Sequence, residues 1–224
     1  MPLVTAAHDP AAVRYRVTRT IPVGSYPLGV AVDPAARTVY VANQGGGTVS
    51  VIDAATGTVT GTIPAGSHPF GVAVDPAART VYVANFGGGT VSVIDAATGT
   101  VTRTIPVGRY AFGVGVDPAT RTVYVANYFD GTVSVIDAAT GTMTGTIAVG
   151  SDPAGVAVDP ASRTVYVANA FGGTVSVIDG ATSTVTATIP VGSYPAGVAV
   201  DRGTHTAYVA NANDNTVSVI SRSM

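Results

Sequence analysis

The 224-residue sequence contains no cysteine, no lysine and no glutamate. Without cysteine, disulfide bonds, thiolate metal sites and a cysteine nucleophile are excluded. All 11 basic residues are arginine and all 13 acidic residues are aspartate, so the formal net charge is −2. This balance gives no broad field that would attract nucleic acid or an anionic membrane. The sequence also lacks a run of 18 apolar residues, which excludes a membrane-spanning helix.

The first ten residues lack the basic start and the apolar centre of a signal peptide. On the sequence as given, we therefore expect a cytoplasmic protein. Residues 1–14 match nothing else in the chain and are predicted to form a leader outside the folded domain.

Repetition is the dominant feature of the remaining sequence. The segment Arg-Thr-Val-Tyr-Val-Ala-Asn occupies residues 37–43 and returns at 79–85, 121–127 and 163–169, then in altered form at 206–211. Its final asparagines follow each other at intervals of 42 residues: Asn43, Asn85, Asn127, Asn169 and Asn211. A period of about 40–45 residues corresponds to one four-stranded blade of a β-propeller.

The repeat units are predicted to be residues 25–66, 67–108, 109–150 and 151–192, with an incomplete fifth unit at 193–224. Each unit contains four short stretches rich in Val, Thr and Ile, which we name strands a to d. The fifth unit lacks the last ten residues of the pattern, and residues 15–24 align with those ten. The sequence therefore predicts an all-β, five-bladed propeller with four antiparallel strands per blade. In this prediction residues 15–224 form a single domain, and segment 15–24 closes the last blade.

Three motifs connect the chain to a known family. The first unit carries Tyr-Val-Ala-Asn at 40–43 and Thr-Val-Ser-Val-Ile-Asp at 48–53, and the second ends in Thr-Ile-Pro-Val-Gly at 104–108. This combination resembles the YVTN-repeat β-propellers, the surface-layer and YncE-like group, over about residues 15–220. The resemblance implies a propeller fold and an exported or cell-surface location. Family members tend to have seven blades, whereas five units are present in this sequence.

The repeats differ from one another mainly at one end of the predicted propeller. In this strand order the d–a and b–c loops emerge together, and we call that end the variable end. The second position of the five units holds Tyr26, His68, Tyr110, Asp152 and Tyr194, and the fourth holds Leu28, Phe70, Phe112, Ala154 and Ala196. The b–c loops carry Gln44, Phe86, Tyr128, Phe129, Asp130, Phe171, Asn213, Asp214 and Asn215. The opposite end, formed by the a–b and c–d loops, is nearly invariant.

The chain has ten tyrosines and five phenylalanines, and nine of these aromatic residues map to the variable end. This placement predicts an aromatic-lined cup that binds a small, partly apolar molecule. The predicted ligand-binding residues are Tyr26, Leu28, Gln44, Phe70, Phe86, Arg109, Phe112, Tyr128, Phe129, Asp130, Phe171, Tyr194, Asn213 and Asp214. The alternative is that these rings merely plug the channel and cover strand ends. For Asp130, an ion pair with Arg109 is a further alternative.

Catalysis is a second hypothesis for the same end. His68 is the one histidine there, and a histidine with an ordinary pKa of ~6.5 can exchange protons near neutrality. Asp152 occupies the equivalent position two units later, and Tyr110 could donate a hydrogen bond to a developing oxyanion. These three would serve a cofactor-independent cyclase, isomerase or lyase, or else form only a polar rim. A scaffold for protein partners, as the surface-layer resemblance implies, is a third hypothesis.

No metal, cofactor or nucleic acid is expected. A single histidine and scattered aspartates, without glutamate, make a thin ligand set for a metal. At the invariant end, Arg37, Arg79, Arg121 and Arg163 could grip a polyanion. Each follows an aspartate by four residues, so local Arg–Asp pairing across the turn is the favoured prediction. We expect a monomer whose partner is a small, partly apolar molecule and which contacts no membrane.

Overall fold

The computed structural model describes residues 16–221, which form 19 β-strands and a short 3-10 turn at Gln44–Gly46. In chain order the strands are β1 (Pro27–Asp33), β2 (Thr38–Asn43), β3 (Thr48–Asp53), β4 (Thr58–Pro64), β5 (Pro69–Asp75), β6 (Thr80–Asn85), β7 (Thr90–Asp95), β8 (Thr100–Pro106), β9 (Ala111–Asp117), β10 (Thr122–Asn127), β11 (Thr132–Asp137), β12 (Thr142–Ala148), β13 (Pro153–Asp159), β14 (Thr164–Asn169), β15 (Thr174–Asp179), β16 (Thr184–Pro190), β17 (Pro195–Asp201), β18 (Thr206–Asn211) and β19 (Thr216–Ile220). The chain is thus all-β, as predicted.

The strands form five antiparallel sheets, in which each strand pairs with the next one along the chain. Four sheets have four strands, β1–β4, β5–β8, β9–β12 and β13–β16, and the fifth has three, β17–β19. We call the sheets blades 1 to 5, and the 42-residue period equals one blade. The first strands of successive blades pack side by side, and together they line a channel of about 450 Å³. This arrangement is consistent with a five-bladed propeller.

Apolar side chains between adjacent blades form the core. Tyr40, Val49 and Ile63 of blade 1 pack against Val81 and Val83 of blade 2, and the same positions meet at the following interfaces. Because side chains alternate along a strand, a sheet lying between two others buries both of its faces. Full burial of one such side chain stabilises the fold by about 1.5–3 kcal/mol.

The turns at the invariant end are fixed by the aspartate that ends strand a. Asp33 accepts hydrogen bonds from the backbone N–H groups of Ala35 (2.9 Å) and Ala36 (3.0 Å). The same bonds recur at Asp75 and Asp117. An aspartate that bonds the backbone two residues on nucleates a tight turn, as the Asp-Pro sequence predicts.

The asparagine that ends strand b fixes the loops at the variable end. In blade 3 the Asn127 side-chain amide donates to Thr132 Oγ1 (3.0 Å) and Ser134 Oγ (2.9 Å). Its Oδ1 accepts from the backbone N–H of Gly108 at 3.0 Å. The side-chain bonds to a threonine and a serine recur in all five blades. Because Asn127 is fully buried, these bonds replace lost water and hold the loop onto its blade.

The predicted closing strand at residues 15–24 is not confirmed. Blade 5 has three strands, residues 16–23 form no strand, and Tyr15 lies outside the described residues, as does the predicted leader 1–14. The first strand of blade 1 does not pack on β17 in the way that successive first strands pack on each other. The repeat alignment identified the type of strand that residues 15–24 would form, but it could not identify the sheet that would accept it.

Candidate functional site at the variable end

The d–a and b–c loops lie at the same end of every blade, because a backbone hydrogen bond joins them. In each blade the first b–c residue donates its N–H to the carbonyl of the second-position residue. The five pairs are Gln44 to Tyr26 (2.9 Å), Phe86 to His68 (2.9 Å), Tyr128 to Tyr110 (3.0 Å), Ala170 to Asp152 (2.9 Å) and Ala212 to Tyr194 (3.0 Å). The predicted grouping of these loops is therefore correct.

All five second-position residues have a left-handed backbone, with φ between 53° and 58°. This conformation costs about 1–2 kcal/mol in a residue that has a Cβ atom, and the carbonyl bond to the b–c loop helps to hold it. The arginines at 37, 79, 121 and 163 share it at the opposite end. The strained backbone is therefore a property of the repeat and does not by itself indicate function.

Six rings from blades 2 and 3 form one contact network, which we call the aromatic cluster: Phe70, Phe86, Tyr110, Phe112, Tyr128 and Phe129. The closest contact is between Phe70 and Phe112, whose ring centroids are 3.8 Å apart. Phe112 continues to Tyr128 at 5.5 Å. Phe86 stacks on Tyr110 at 4.5 Å, and Tyr110 meets the edge of Phe129 at 5.7 Å. The structure thus brings six of the predicted ligand-binding or catalytic residues into contact.

Two cavities adjoin the aromatic cluster. The mouth of the 450 Å³ channel is lined by Leu28, Phe70 and Phe112, together with glycines and valines of the first strands. A second cavity, of about 260 Å³, lies between Phe86, Tyr110, Phe129, Arg109 and the glycines 87–89. We call the channel mouth and this second cavity together the cup.

A β-bulge near the start of strand a carries the phenylalanine that lines the channel mouth in blades 2 and 3. In β5, Pro69 pairs with Asn85 and the next pair is Val72 with Val83, which leaves Phe70 in the irregular stretch between them. The same shift occurs in β9 around Phe112. Bulges of this kind re-aim side chains at the ends of sheets.

Arg109 and Asp130 form the charged part of the rim. Arg109 Nε lies 2.7 Å from Asp130 Oδ1, and the backbone N–H of Arg109 donates to Oδ2 at 2.7 Å. These hydrogen bonds, the backbone one foremost, hold the pKa of Asp130 below its ordinary value. The guanidinium also lies 4.4 Å from the centroid of the Phe129 ring. The ion pair with Arg109, given above as an alternative role for Asp130, is present. In blade 5, Asp214 stands at the equivalent position and accepts from the backbone N–H of Ser193 at 2.5 Å.

A tyrosine pair connects blade 3 to blade 5. The hydroxyl oxygens of Tyr128 and Tyr194 are 3.3 Å apart. The hydrogen bond to Tyr194 raises the pKa of Tyr128, and burial and the negative charge of Asp152 raise it further. Tyr128 therefore remains a neutral hydrogen-bond donor at physiological pH.

The structure does not join the predicted acid–base residues into one hydrogen-bonded group. His68 Nδ1 lies 3.0 Å from Ser67 Oγ and contacts Gly87 of its own blade. Asp152 is close enough to Tyr128 to affect its pKa. Among residues 16–221 no hydrogen bond connects His68 to Asp152 or to Tyr110. The catalytic role of these three residues stays a prediction.

The remaining predicted ligand-binding residues lie at the variable end but outside the aromatic cluster. Tyr26 is exposed and Phe171 is 80% exposed, and within the described residues no ring contact joins either of them to the cluster. Gln44 begins the 3-10 turn. Asn213 is exposed and donates its backbone N–H to the Ser193 carbonyl at 3.2 Å.

At the invariant end the predicted Arg–Asp pairing is wrong. Within residues 16–221 no ion pair joins Arg37 to Asp33 or links the equivalent residues of other blades. The aspartates are buried and their oxygens bond turn amides, while the arginines are exposed. The sequence interpretation also missed His205, whose Nδ1 lies 2.6 Å from Asp159 Oδ2 of the preceding blade. The repeat alignment could have identified this residue, because His205 replaces the arginine of the other units.

Metal-binding clusters and membrane-spanning helices are both absent from the described part of the chain. Between residues 16 and 221 no cluster of three or more His, Cys, Asp or Glu side chains is placed to hold a metal ion. In the same stretch, no helix has the length and apolar character needed to cross a membrane.

Consecutive antiparallel sheets whose first strands line a common channel define the β-propeller class. The chain belongs to the YncE-like β-propeller family, whose model matches residues 4–112 and 113–196. The comparison with curated proteins gave no match.

Two solved structures share the fold. A functionally unknown protein from Desulfotomaculum acetoxidans superposes with a TM-score of 0.75 at 17% identity, over 89% of this chain and 70% of that one. Hydrazine synthase from Kuenenia stuttgartiensis superposes with a TM-score of 0.55 at 16% identity, over 94% of this chain and 99% of that one. Identities this low indicate the fold alone.

Proposed function

We propose that the protein binds a small, partly apolar, uncharged molecule in the cup at the variable end. The observation that carries this proposal is the Phe70–Phe112 contact of 3.8 Å, which places rings from two blades at the mouth of the channel. The channel volume of about 450 Å³ lies in the range typical of small-molecule sites.

Partial exposure of the rings favours binding over simple plugging. Phe129 is 58% exposed and Tyr110 is also exposed, although both contact other rings of the cluster. A ring that served only to cover strand ends would gain most by burying both faces. The exposed ring faces are therefore available to stack against a planar or apolar ligand.

The rim favours an uncharged ligand. Arg109 is the cation of the cup, and its charge is already balanced by Asp130 at 2.7 Å. A carboxylate ligand would have to compete with this ion pair. Tyr128 and Tyr194 offer hydroxyl groups that can bond a carbonyl or hydroxyl of the ligand. A ring or alkyl group with one neutral polar substituent fits this arrangement.

The same geometry gives less support to the second hypothesis, that the protein is a cofactor-independent enzyme. Acid–base catalysis would need His68 and Asp152 on opposite sides of one substrate, within hydrogen-bond reach of it. His68 is instead held by Ser67 on its own blade. The imidazole Nε2 is not part of this contact, so a substrate would have to lie between Nε2 and the Asp152 carboxylate for the two groups to act together.

Ligand-observed NMR with indole, benzamide and glucose tests the proposal. The chain has no tryptophan, so indole signals belong to the probe alone. We expect magnetisation transfer to indole and benzamide but not to glucose. Phe86→Ala should weaken the transfer, while Phe171→Ala, at the same end but outside the aromatic cluster, should leave it unchanged. Equal transfer in both variants, or none in the parent protein, would contradict ligand binding in the cup.

A further inference from the structure

Blade 5 has an open edge. Strand β19 pairs with β18 on one side, and no described strand pairs with it on the other. In blades 1 to 4 the equivalent strand pairs with an outer fourth strand, as β7 pairs with β8. An unpaired edge offers a row of backbone donors and acceptors to an incoming strand.

A groove lies beside this open edge, where the outer strand is missing. Its volume is about 430 Å³, and its walls include Val177 and Ile189 of blade 4 and Ile220 of β19. Between blades 1 and 2 the corresponding space receives Val101, which belongs to the outer strand of blade 2. The groove therefore has the position of an absent outer strand, and the apolar part of its lining can pack against an apolar side chain of such a strand.

The sequence of that missing strand is present elsewhere in the chain. Residues 17–24 read Val-Thr-Arg-Thr-Ile-Pro-Val-Gly, and residues 101–108 repeat them without a single change. In blade 2 these residues form most of the outer strand β8. At the start of the chain the same residues form no strand, and Val17 is 85% exposed. Segment 17–24 is thus an unused copy of an outer strand.

The outward faces of blades 1 and 5 are complementary halves of one blade interface. On blade 1, Val30 is 63% exposed, whereas the equivalent Val114 of blade 3 is 8% exposed. On blade 5, Val217 is 59% exposed, whereas Val133 of blade 3 is fully buried. Each face exposes the positions that are covered wherever two blades meet inside the chain.

Segment 17–24 and blade 1 already have the mutual arrangement of an outer strand and the blade that follows it. The Arg19 guanidinium lies against Gly57, as the guanidinium of Arg103 lies against Gly141 two blades later. Inside the chain, such an outer strand is paired with the third strand of its own blade. Segment 17–24 has no such partner, because blade 5 of the same chain does not pack against blade 1. A second copy of the chain carries the blade that this arrangement lacks.

We propose that two copies of this chain associate head to tail, with segment 17–24 of one copy completing blade 5 of the other. The register follows from blade 2, where Thr90 pairs with Pro106 and Ser92 pairs with Thr104. Ser218 of one copy therefore lies opposite Thr20 of the next, and Val17 enters the groove. The contact is heterologous, since different surfaces of the two copies meet. The proposed association differs from the monomer expected from the sequence, and it does not depend on ligand binding.

Cysteine cross-linking tests this register, because the chain has no cysteine of its own. Thr20→Cys and Ser218→Cys are prepared as separate proteins and mixed under mild oxidation. We expect a disulfide-linked heterodimer on a non-reducing gel, and much less from Thr18→Cys mixed with Ser218→Cys. Thr18 is equivalent to Thr102, which lies at the bulge and has no partner in the register. A heterodimer yield no greater than that of the Thr18 mixture would overturn the proposal. A double variant, Thr20→Cys with Ser218→Cys, that forms only an intrachain link would assign the segment to its own blade 5 and overturn it too.

A glycine variant tests the association without cross-linking. A Cβ atom at Gly155 would lie 2.6 Å from the Ala196 carbonyl of the next blade, but at Gly197 it would meet nothing within 4 Å. Gly197→Ala should therefore leave the single chain intact and obstruct a docking blade. In sedimentation velocity we expect concentration-dependent association, weakened about tenfold by Gly197→Ala. Gly145→Ala, where a Cβ atom also meets nothing, should have no effect. A parent protein that is monomeric at every concentration, or an unaffected Gly197→Ala variant, would contradict the proposal.

Discussion

The hydroxyl oxygens of Tyr128 and Tyr194 lie 3.3 Å apart, although 66 residues separate them in the chain. Tyr128 belongs to a b–c loop of blade 3 and Tyr194 to a d–a loop of blade 5. The repeat itself requires no such bond, because the residues equivalent to Tyr128 in the other blades are not tyrosine. Side chains that differ between units therefore act together at the variable end.

Replacing Tyr194 by Phe should lower the pKa of Tyr128 towards its ordinary value of about 10. The hydrogen bond to Tyr194 is the main cause of the raised pKa, so its removal leaves burial together with the charge and the hydrogen bond of Asp152. NMR titration of tyrosine labelled with ¹³C at Cζ measures this value. Tyr26→Phe, in the same ring of positions, is the control. An unchanged Tyr128 titration in Tyr194→Phe would show that the two hydroxyls do not interact in solution.

Gly113→Ala should destabilise the protein, whereas Gly197→Ala should not. A Cβ atom at Gly113 would overlap the carbonyl oxygen of Ala154 in the next blade, but at Gly197 there is open space. Overpacking of this kind costs about 1–3 kcal/mol, while a tolerated Gly→Ala change stabilises by about 0.4–1 kcal/mol through the unfolded chain. Urea unfolding, at protein concentrations too low for two copies to associate, gives both values. Equal losses would mean that a blade covers Gly197 in the single chain.

Asn127→Ala should lower the free energy of unfolding by about 1–3 kcal/mol, because buried partners lose their hydrogen bonds. The Gly108 N–H and the Ser134 hydroxyl would be left without the side chain that now bonds them. Asn213→Ala, which removes an exposed side chain, should change stability by less than about 0.5 kcal/mol. Thermal or urea unfolding measures the difference. Similar stabilities for the two variants would show that the Asn127 side chain does not stabilise the fold.

Asp159 should contribute to the loss of stability in acid. Burial raises its pKa, but hydrogen bonds from Ser162 and His205 outweigh burial and bring the pKa below its ordinary value. A carboxyl with a lowered pKa in the folded state stabilises the fold above the ordinary pKa of about 3.9. That stabilisation is lost as the pH falls through the folded-state pKa.

The free energy of unfolding should therefore fall less steeply below pH ~4 in Asp159→Asn than in the parent protein. Other aspartates with lowered pKa values, such as Asp137 and Asp179, are present in both proteins and cancel in the comparison. Urea unfolding at a series of pH values supplies the two curves. Parallel curves would show that the Asp159 carboxyl is not stabilised in its ionised form.

The sequence predicted the blades and their ends because each rests on local chemistry repeated five times. The Asp33 turn depends on backbone groups within three residues of the aspartate, and the Asn127 amide bonds side chains five and seven residues away. Contacts between blades were harder to predict. The sequence placed Phe70 and Phe112 at one end, but it did not distinguish them from Phe171, which lies apart from the cluster. Phe171 aligns with Phe129, but blade 4 has Asp152 where blade 3 has Tyr110, so Phe171 lacks the tyrosine ring that Phe129 contacts.

The Arg–Asp pairing was wrong and the closing strand was not confirmed for a common reason, which is that a matching sequence does not identify a partner. Arg37 follows Asp33 at pairing distance in sequence, yet the turn amides occupy the aspartate oxygen. Segment 17–24 has the sequence of an outer strand, yet its own blade 5 is not beside it. Both outcomes depend on three-dimensional geometry that the repeat period alone does not determine.

A crystal structure of the protein grown with indole tests the central claim, that the variable end binds a small, partly apolar molecule, most directly. We predict indole density in the cup, against the ring of Phe112 or between Phe86 and Phe129, with the Tyr128–Tyr194 hydroxyls nearby. Indole bound only on the exposed faces of blades 1 and 5, or at the invariant end, would contradict the claim.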